Sequence, residues 1–136
     1  METITLAQLI QAVDGTLAGE FANLETPISG VDTDSRAIHP GSLFIPLVGD
    51  RFDGHAYIES ALSAGAVGCI TAKDLSNPRP DRFYVRVEDT EKALGALASW
   101  YKTLFPIPFL AVTGSVGKTT TKDMLAAVLG VKYNVM

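Results

Sequence analysis

The chain has 136 residues, 47% hydrophobic and 19% charged, with a formal net charge of −4, the balance of a soluble globular protein with length for one domain or one and a part. That charge argues against a general nucleic-acid binder, which needs a basic stripe to displace counterions, and no apolar run reaches the roughly 18 residues of a membrane span. The acidic start Met1-Glu2-Thr3 lacks the basic region of a signal peptide, and a single cysteine, Cys69, excludes an internal disulfide and fits a reducing cytoplasm.

Thr3-Ile4-Thr5 predicts a short extended piece. Thr5 and Gln8 have capping-box spacing, and Leu6, Leu9, Ile10 and Val13 share one face, so a helix runs to about Val13 and Gly15 ends it. Thr16 to Glu20 reads as a weak strand, Asn23 to Pro27 as a loop, and Ile28 to Val31 as one short strand. Asp32-Thr33-Asp34-Ser35-Arg36 is dense in hydrogen-bonding groups. After a Pro40-Gly41 turn, Leu43 to Val48 is of strand type. Pro46 has no N–H, so that strand is expected at an edge or with a bulge.

Gly49 to His55 reads as a glycine-bounded loop. A helix over about Ala56 to Ala64 follows, with Tyr57, Ile58, Ala61 and Leu62 facing in and Gly65 closing it. Ala66 to Thr71 is a strand of buried type, which makes Cys69 a core thiol rather than a nucleophile. Lys73 to Asp81, with Pro78 and Pro80, is a surface loop, and Phe83 to Val87 alternates as a strand does. Asp89 caps a helix over about Thr90 to Phe105. Its core stripe is Ala93, Leu94, Leu97, Ala98, Tyr101 and Leu104, with Trp100 one position off and expected at a domain seam. Pro106-Ile107-Pro108 stops the helix and marks the domain boundary. His39 and His55 have no cysteine or histidine partner at ligand spacing, so no zinc site is expected.

The last stretch says most about chemistry. Phe109-Leu110-Ala111-Val112 is an apolar run of strand type, followed by a glycine-rich turn and a helix over about Lys118 to Leu129. Glycines let backbone N–H groups approach phosphate oxygens, and the helix N-terminus adds its positive dipole. Gly114, Ser115, Val116, Gly117, Lys118, Thr119 and Thr120 are the candidate phosphate cradle. Lys118 would reach the β- and γ-phosphates of ATP, and Thr119 would ligate Mg²⁺. Val112 stands where the general pattern has a glycine, so only Gly-x-x-Gly-Lys-Thr is met; the plainer alternative is a glycine turn with a solvated Lys118. The expected fold class is α/β. Residues 1–106 form a small mixed α/β domain, and 107–136 form the first βα unit of a nucleotide-binding domain. Such a domain needs several parallel strands covered by helices, so it is expected to be cut short or completed from outside the chain. Its apolar strand and the helix face Met124, Leu125, Val128 and Leu129 must pack on the first domain or on a second copy, or stay mobile, which leaves self-association open.

Four stretches together resemble the Mur ligase family, the ATP-dependent amide-forming enzymes of bacterial cell-wall precursor synthesis. They are Asp34-Ser35-Arg36 with Pro40-Gly41-Ser42-Leu43-Phe44; Gly49-Asp50-Arg51-Phe52-Asp53-Gly54-His55 with Gly65-Ala66; Glu88-Asp89-Thr90 with Ala93 to Ala98; and Thr113 to Met124. The family's loop also lacks the early glycine, which accounts for Val112. The first two stretches are shared with the sibling that adds the third peptide residue. Ser115 and the run Thr121-Lys122-Asp123-Met124 favour the member that adds D-Ala-D-Ala.

The resemblance implies that the first domain holds the UDP end of a UDP-N-acetylmuramoyl-peptide. The candidates are Thr33, Asp34, Ser35 and Arg36, with Gly49, Asp53, Gly54 and His55. Arg36 offers a guanidinium fork for a diphosphate. Read from the residues alone, Asp32 to Ser42 is equally a hydrogen-bonded turn with Arg36 in a surface ion pair, and Asp53-Gly54-His55 is helix-entry chemistry. In the whole enzyme ATP would phosphorylate the peptide carboxylate, and the amine of D-Ala-D-Ala would attack the acyl phosphate. The acidic Mg²⁺ ligand, modified lysine and amine-binding domain implied by the family would lie beyond Met136. The chain alone is therefore not expected to turn over, and a UDP-sugar binding module without catalysis is the alternative.

Overall fold

A capped turn starts the chain. In the computed structural model, which describes residues 1–21 and 23–135 (Ala22 and Met136 lie outside the described residues), β1 (Ile4–Thr5) runs directly into α1 (Leu6–Val13). The Thr5 hydroxyl accepts from the Gln8 N–H at 3.3 Å, and the Thr5 N–H donates to Gln8 Oε1 at 2.9 Å, which closes the capping box. α1 ends at Val13 as expected, but its cap is not the expected glycine. Asp14, not Gly15, takes the left-handed position at φ 50°, which aspartate tolerates better than most side chains. Gly15 serves a close approach instead, because a Cβ there would lie 2.5 Å from Val85 Cγ1.

Then come β2 (Thr16–Ala18), β3 (Pro27–Ile28), β4 (Gly30–Asp32), β5 (Ser42–Phe44), the hairpin β6 (Val48–Gly49) and β7 (Phe52–Asp53), a 3-10 turn (Gly54–Tyr57), α2 (Ile58–Ser63), β8 (Gly68–Thr71), β9 (Phe83–Arg86) and α3 (Thr90–Thr103). The main sheet has the order β2-β9-β8-β5-β4. β4, β5, β8 and β9 are mutually parallel, and β2 is antiparallel on β9. β1 pairs only with β3, Ile4 opposite Ile28.

Successive strand residues serve opposite faces of the sheet. Leu43, Ile45, Ile70, Phe83 and Val85 join Leu6 and Leu9 of α1 and Ala93 and Leu97 of α3 in one core. Phe44, Cys69 and Tyr84 join Ile58, Ala61 and Leu62 of α2 in the other. Helices on both faces explain why Phe83, Tyr84 and Val85 are all buried. Burial of each large apolar side chain contributes about 1.5–3 kcal/mol before entropy is counted.

Several expectations are corrected. The stretch 28–31 is two strands, because Ser29 donates its N–H to the Gly41 carbonyl and β3 and β4 belong to different sheets. β5 is an interior strand, not an edge, and stops at Phe44; Pro46 lies past its end, where no ladder bond is lost. Gly49 to His55 is not a plain loop but the end of a hairpin and the start of a 3-10 turn. Tyr57 faces out, as do Ala98 and Leu104, so the buried side of α3 is narrower than its apolar stripe. Trp100 is partly buried and packs against the α1–α3 core.

The chain divides into two compact units, Met1–Phe105 and Pro106–Met136. The second contains α4 (Lys118–Leu129), none of whose residues is buried. The expected strand over 109–112 is not formed, since a strand exists only through its ladder and a single βα unit holds no second strand to supply one.

Candidate functional site

In an open α/β sheet ligands bind beyond the carboxyl ends of the parallel strands. Here four parallel strands end on one edge. Thr33 to Arg36 follows β4, the hairpin and 3-10 turn follow β5, Ala72 and Lys73 follow β8, and Glu88 and Asp89 follow β9. β2 runs the other way, so its first residue, Thr16, stands opposite Arg86 at that same edge. A cleft of about 420 Å³ opens there, lined by Asp14, Thr16, Ala72, Arg86, Val87 and Glu88. Both groups of sequence-derived substrate residues thus sit on the edge where such sheets hold ligands.

Asp53 is the hub of one group. Its Oδ1 accepts from the His55 N–H at 2.9 Å, capping the 3-10 turn, and also meets His55 Nδ1 at 2.7 Å. Its Oδ2 pairs with the Lys73 ammonium. His55 Nε2 accepts from the Ala72 N–H at 3.0 Å, so the ring proton sits on Nδ1 and is donated to Asp53. The His55 side chain is only 6% exposed. Lys73, and then the bonds from His55, hold the Asp53 carboxyl well below the usual carboxylate range. Gly54 is required by contact, because a Cβ there would fall 2.9 Å from the Leu47 backbone. Gly49 has open space where a Cβ would stand. The chain Lys73–Asp53–His55–Ala72 thereby ties the β7 turn to the end of β8.

The second group follows β4. Asp34 accepts from the Arg36 N–H at 3.0 Å and from its Nε and Nη2 at 2.9 and 2.7 Å. This forked pair holds the Asp34 carboxyl down at about 2. The Arg36 side chain is 87% exposed. Thr33 is exposed and Ser35 half-buried. So the turn and ion pair that the residues alone allow are both present, and they leave the guanidinium facing solvent.

Asp32, Lys73 and Tyr57 were not among the sequence-derived site residues. Asp32 Oδ2 accepts from Ser42 Oγ at 2.6 Å and from the His39 N–H at 2.8 Å, fastening both ends of the loop that carries Arg36. These bonds outweigh its burial and lower its pKa. Lys73 had no local signal, since it meets Asp53 across twenty residues. Cys69 is fully buried in β8, its thiol pushed up to about 12 by burial, as suits a core group. Among the described residues no group of three His, Cys, Asp or Glu is placed to hold a metal ion.

The second unit carries the phosphate-loop candidates. Gly117 adopts φ 76° with open space around it, a conformation that favours glycine. It is the N-cap of α4, and no side chain caps the helix there. The first helical bond is from the Thr121 N–H to the Gly117 carbonyl, 2.9 Å, so the N–H groups of Lys118, Thr119 and Thr120 have no acceptor within the helix. Ser115 and Val116 are exposed. Free donors at a helix start, followed at once by Lys118 and the Thr119 hydroxyl, fit a phosphate chain and its cation.

Comparisons with known proteins agree on one family. The model described as "Mur ligase family, catalytic domain" matches residues 27–102, more than half of the chain. The UDP-N-acetylmuramoyl-tripeptide–D-alanyl-D-alanine ligase of Bacillus subtilis is 43% identical over 131 residues, 96% of this chain and 28% of that protein. A crystal structure of MurF from Acinetobacter baumannii superposes with a TM-score of 0.86 at 32% identity, covering 98% of this chain and 29% of that one. MurF ligase from Thermotoga maritima in complex with ADP matches with a TM-score of 0.67 at 34% identity, over 78% of this chain and 24% of that one. The chain thus spans under a third of the length of these relatives. It belongs to the Mur ligase family.

Proposed function

We propose that this chain is the front part of an ATP-dependent ligase that adds D-Ala-D-Ala to UDP-N-acetylmuramoyl-tripeptide. The observation that carries this reading is similarity running through both units: the Bacillus subtilis ligase of that name aligns over 96% of the chain. In this reading residues 1–106 hold the UDP end of the sugar nucleotide at the carboxyl edge of the sheet, through Thr33 to Arg36 and the segment from Gly49 to His55. Residues 107–136 begin the ATP domain. The Gly114–Thr120 loop takes the phosphates, Lys118 offsets charge on the moving phosphoryl group, and the Thr119 hydroxyl ligates Mg²⁺. The peptide carboxylate takes the γ-phosphoryl group of ATP, the co-substrate, to give an acyl phosphate and ADP; the D-Ala-D-Ala amine then attacks the acyl carbon, forming the amide and releasing phosphate. The rest of that machinery would come from sequence beyond this chain, in the cytoplasm where such nucleotide precursors are made, and the exposed face of α4 would pack there or on a second copy.

The test is calorimetric titration with UDP-N-acetylmuramoyl-tripeptide and, separately, with ATP and Mg²⁺. Sugar-nucleotide binding without phosphate release is the expected outcome. D-Ala-D-Ala-dependent phosphate release by the 136 residues alone would overturn the division of labour, and no binding of the sugar nucleotide would overturn the first-domain assignment.

A further inference from the structure

The opposite edge of the sheet, where the parallel strands begin, carries a second cleft. β2 ends there at Ala18, paired with Tyr84 near the start of β9. A cavity of about 260 Å³ opens between the Ala18–Glu20 segment and the loop Pro78–Arg82. The loop is a tight turn: the Arg82 N–H donates to the Arg79 carbonyl at 3.3 Å, and Pro80 holds the second position, which its fixed φ suits. The Arg79 N–H donates to the buried Tyr84 hydroxyl at 2.9 Å, which fastens the turn to the core. Two half-buried guanidiniums are thereby brought to one cavity. Their donors are not used up within the fold. Asp81 is the carboxylate they share, 3.3 and 3.4 Å from Arg79 Nε and Nη2 and 3.3 Å from Arg82 Nη1. These contacts are long beside the 2.9 and 2.7 Å of the Asp34–Arg36 fork. Arg79 Nη1 reaches the Ser63 hydroxyl only at 3.5 Å. Arg82 is held through Nη1, which also donates to the Asp81 carbonyl at 3.1 Å. Arg82 Nε is buried and meets no acceptor among the described residues. Glu20 lines the same cavity but is exposed and gives that nitrogen no bond.

We propose that this cleft binds a small oxyanion of phosphate or carboxylate type, with Arg82 as its main contact and Arg79 as the second. A charged donor buried without an acceptor is costly, and a group that supplies one removes the cost. The Nε–Nη2 side of a guanidinium presents two parallel donors matched to two oxygens of such an anion, and it is the side through which Arg36 holds Asp34. In Arg82 that side makes no bond to the described residues, because both of its contacts leave from Nη1. A small turn of the guanidinium about that end brings Nε and Nη2 onto an anion standing in the cavity. Glu20 and Asp81 oppose the anion, Asp81 being already shared between the two arginines. The chain as a whole carries a net charge of −4, so general attraction does not draw anions to it and binding here must come from the local donors.

The test follows the arginine Nε–H and backbone amide signals of the chain by NMR while inorganic phosphate or, separately, acetate is added at constant ionic strength. A saturable shift of the Arg82 Nε–H, with shifts at the Gly19 and Arg79 amides, is expected, and the anion that saturates it at lower concentration names the class. Phosphate that reaches the Gly114–Thr120 loop is read separately at the Gly114 and Gly117 amides. Arg82→Lys keeps the charge but loses the two-donor side, and should weaken binding about tenfold. Glu20→Gln removes an opposing charge from an exposed position and should tighten binding about twofold. An Arg82 signal that saturates with neither anion overturns the site, as does a folded Arg82→Lys that binds as tightly as the wild type. If Arg82→Lys does not fold, the wild-type Arg82 shift and Glu20→Gln decide, and unchanged or weaker affinity in Glu20→Gln overturns the site. The ligase reading stands or falls separately, by the sugar-nucleotide titration.

Discussion

The first unit buries Leu6, Leu9, Ile70, Phe83 and Leu97 almost completely, whereas α4 in the second buries no residue. Both carry candidate chemistry, but they hold it by different means. In the first unit functional groups are side chains fastened by long-range bonds, such as Lys73 on Asp53 and the Ala72 N–H on His55. Their geometry exists only once the sheet has formed. In the second unit the groups are backbone N–H donors at a helix start and two adjacent side chains, Lys118 and Thr119. Their geometry follows from the local φ of Gly117 and the helix itself. Core-dependent sites and backbone-dependent sites should therefore respond differently to the same kind of damage.

The largest contrast is in stability. Leu97→Ala opens a cavity in the α1–α3 core and should cost about 2–5 kcal/mol in urea unfolding followed by circular dichroism. Val128→Ala on α4 removes an exposed side chain and should stay within about 0.5 kcal/mol. Equal losses would break the distinction. Next comes the phosphate loop. Lys118→Ala removes a charged hydrogen-bond donor and should weaken ATP binding by about 10- to 100-fold, with the urea midpoint of the first unit unmoved. A shifted midpoint would mean that Lys118 serves the fold rather than the nucleotide.

A smaller effect tests the bonded hub. His55→Ala leaves the Ala72 N–H without its acceptor and removes one of the two donors that residue 55 gives Asp53, since its backbone N–H remains. The expected loss is about 1–3 kcal/mol, and hydrogen exchange at Ala72 should quicken more than at Ile70 beside it in β8. Uniform exchange at both positions would assign the loss to the core instead.

What could be read in advance follows the same division. The capping box at Thr5 and Gln8, the Asp89 cap and the α4 start at Lys118 were all legible, because each is a local bond between residues two to four apart. Strand ends and the Ile28–Val31 break were not, because a partner strand decides them: β3 goes to β1 and β4 to β5. Tyr57 faces out for a related reason. Its helical spacing pointed inward, but the first turn is 3-10, not α, which changes the angle per residue and turns the ring out onto Phe52. The residues Asp34, Arg36, Asp53 and His55 were found by pattern. Lys73, the partner of Asp53 across twenty residues, could be found only in three dimensions.

The smallest expected effect concerns acid. Asp34 titrates at about 2 in the fold against an ordinary 3.8, held down by the Arg36 guanidinium and N–H. A depressed carboxylate adds stability that is complete above the ordinary value and disappears as pH falls through the folded one. The contribution should therefore be constant above about pH 5 and be lost between 3.8 and about 2. Asp53, also depressed, moves in the same direction. Both carboxylates are solvent-accessible, so water and salt screen the pairs and the slope should be shallow. Asp34→Asn cannot be protonated, and its melting temperature should fall less steeply than that of the wild type across this window, with the difference shrinking in 0.5 M NaCl (about a 4 Å screening length). A wild-type slope reproduced by Asp34→Asn would show that the Arg36 fork adds nothing to folding, and would leave the pair free to open toward an anionic ligand.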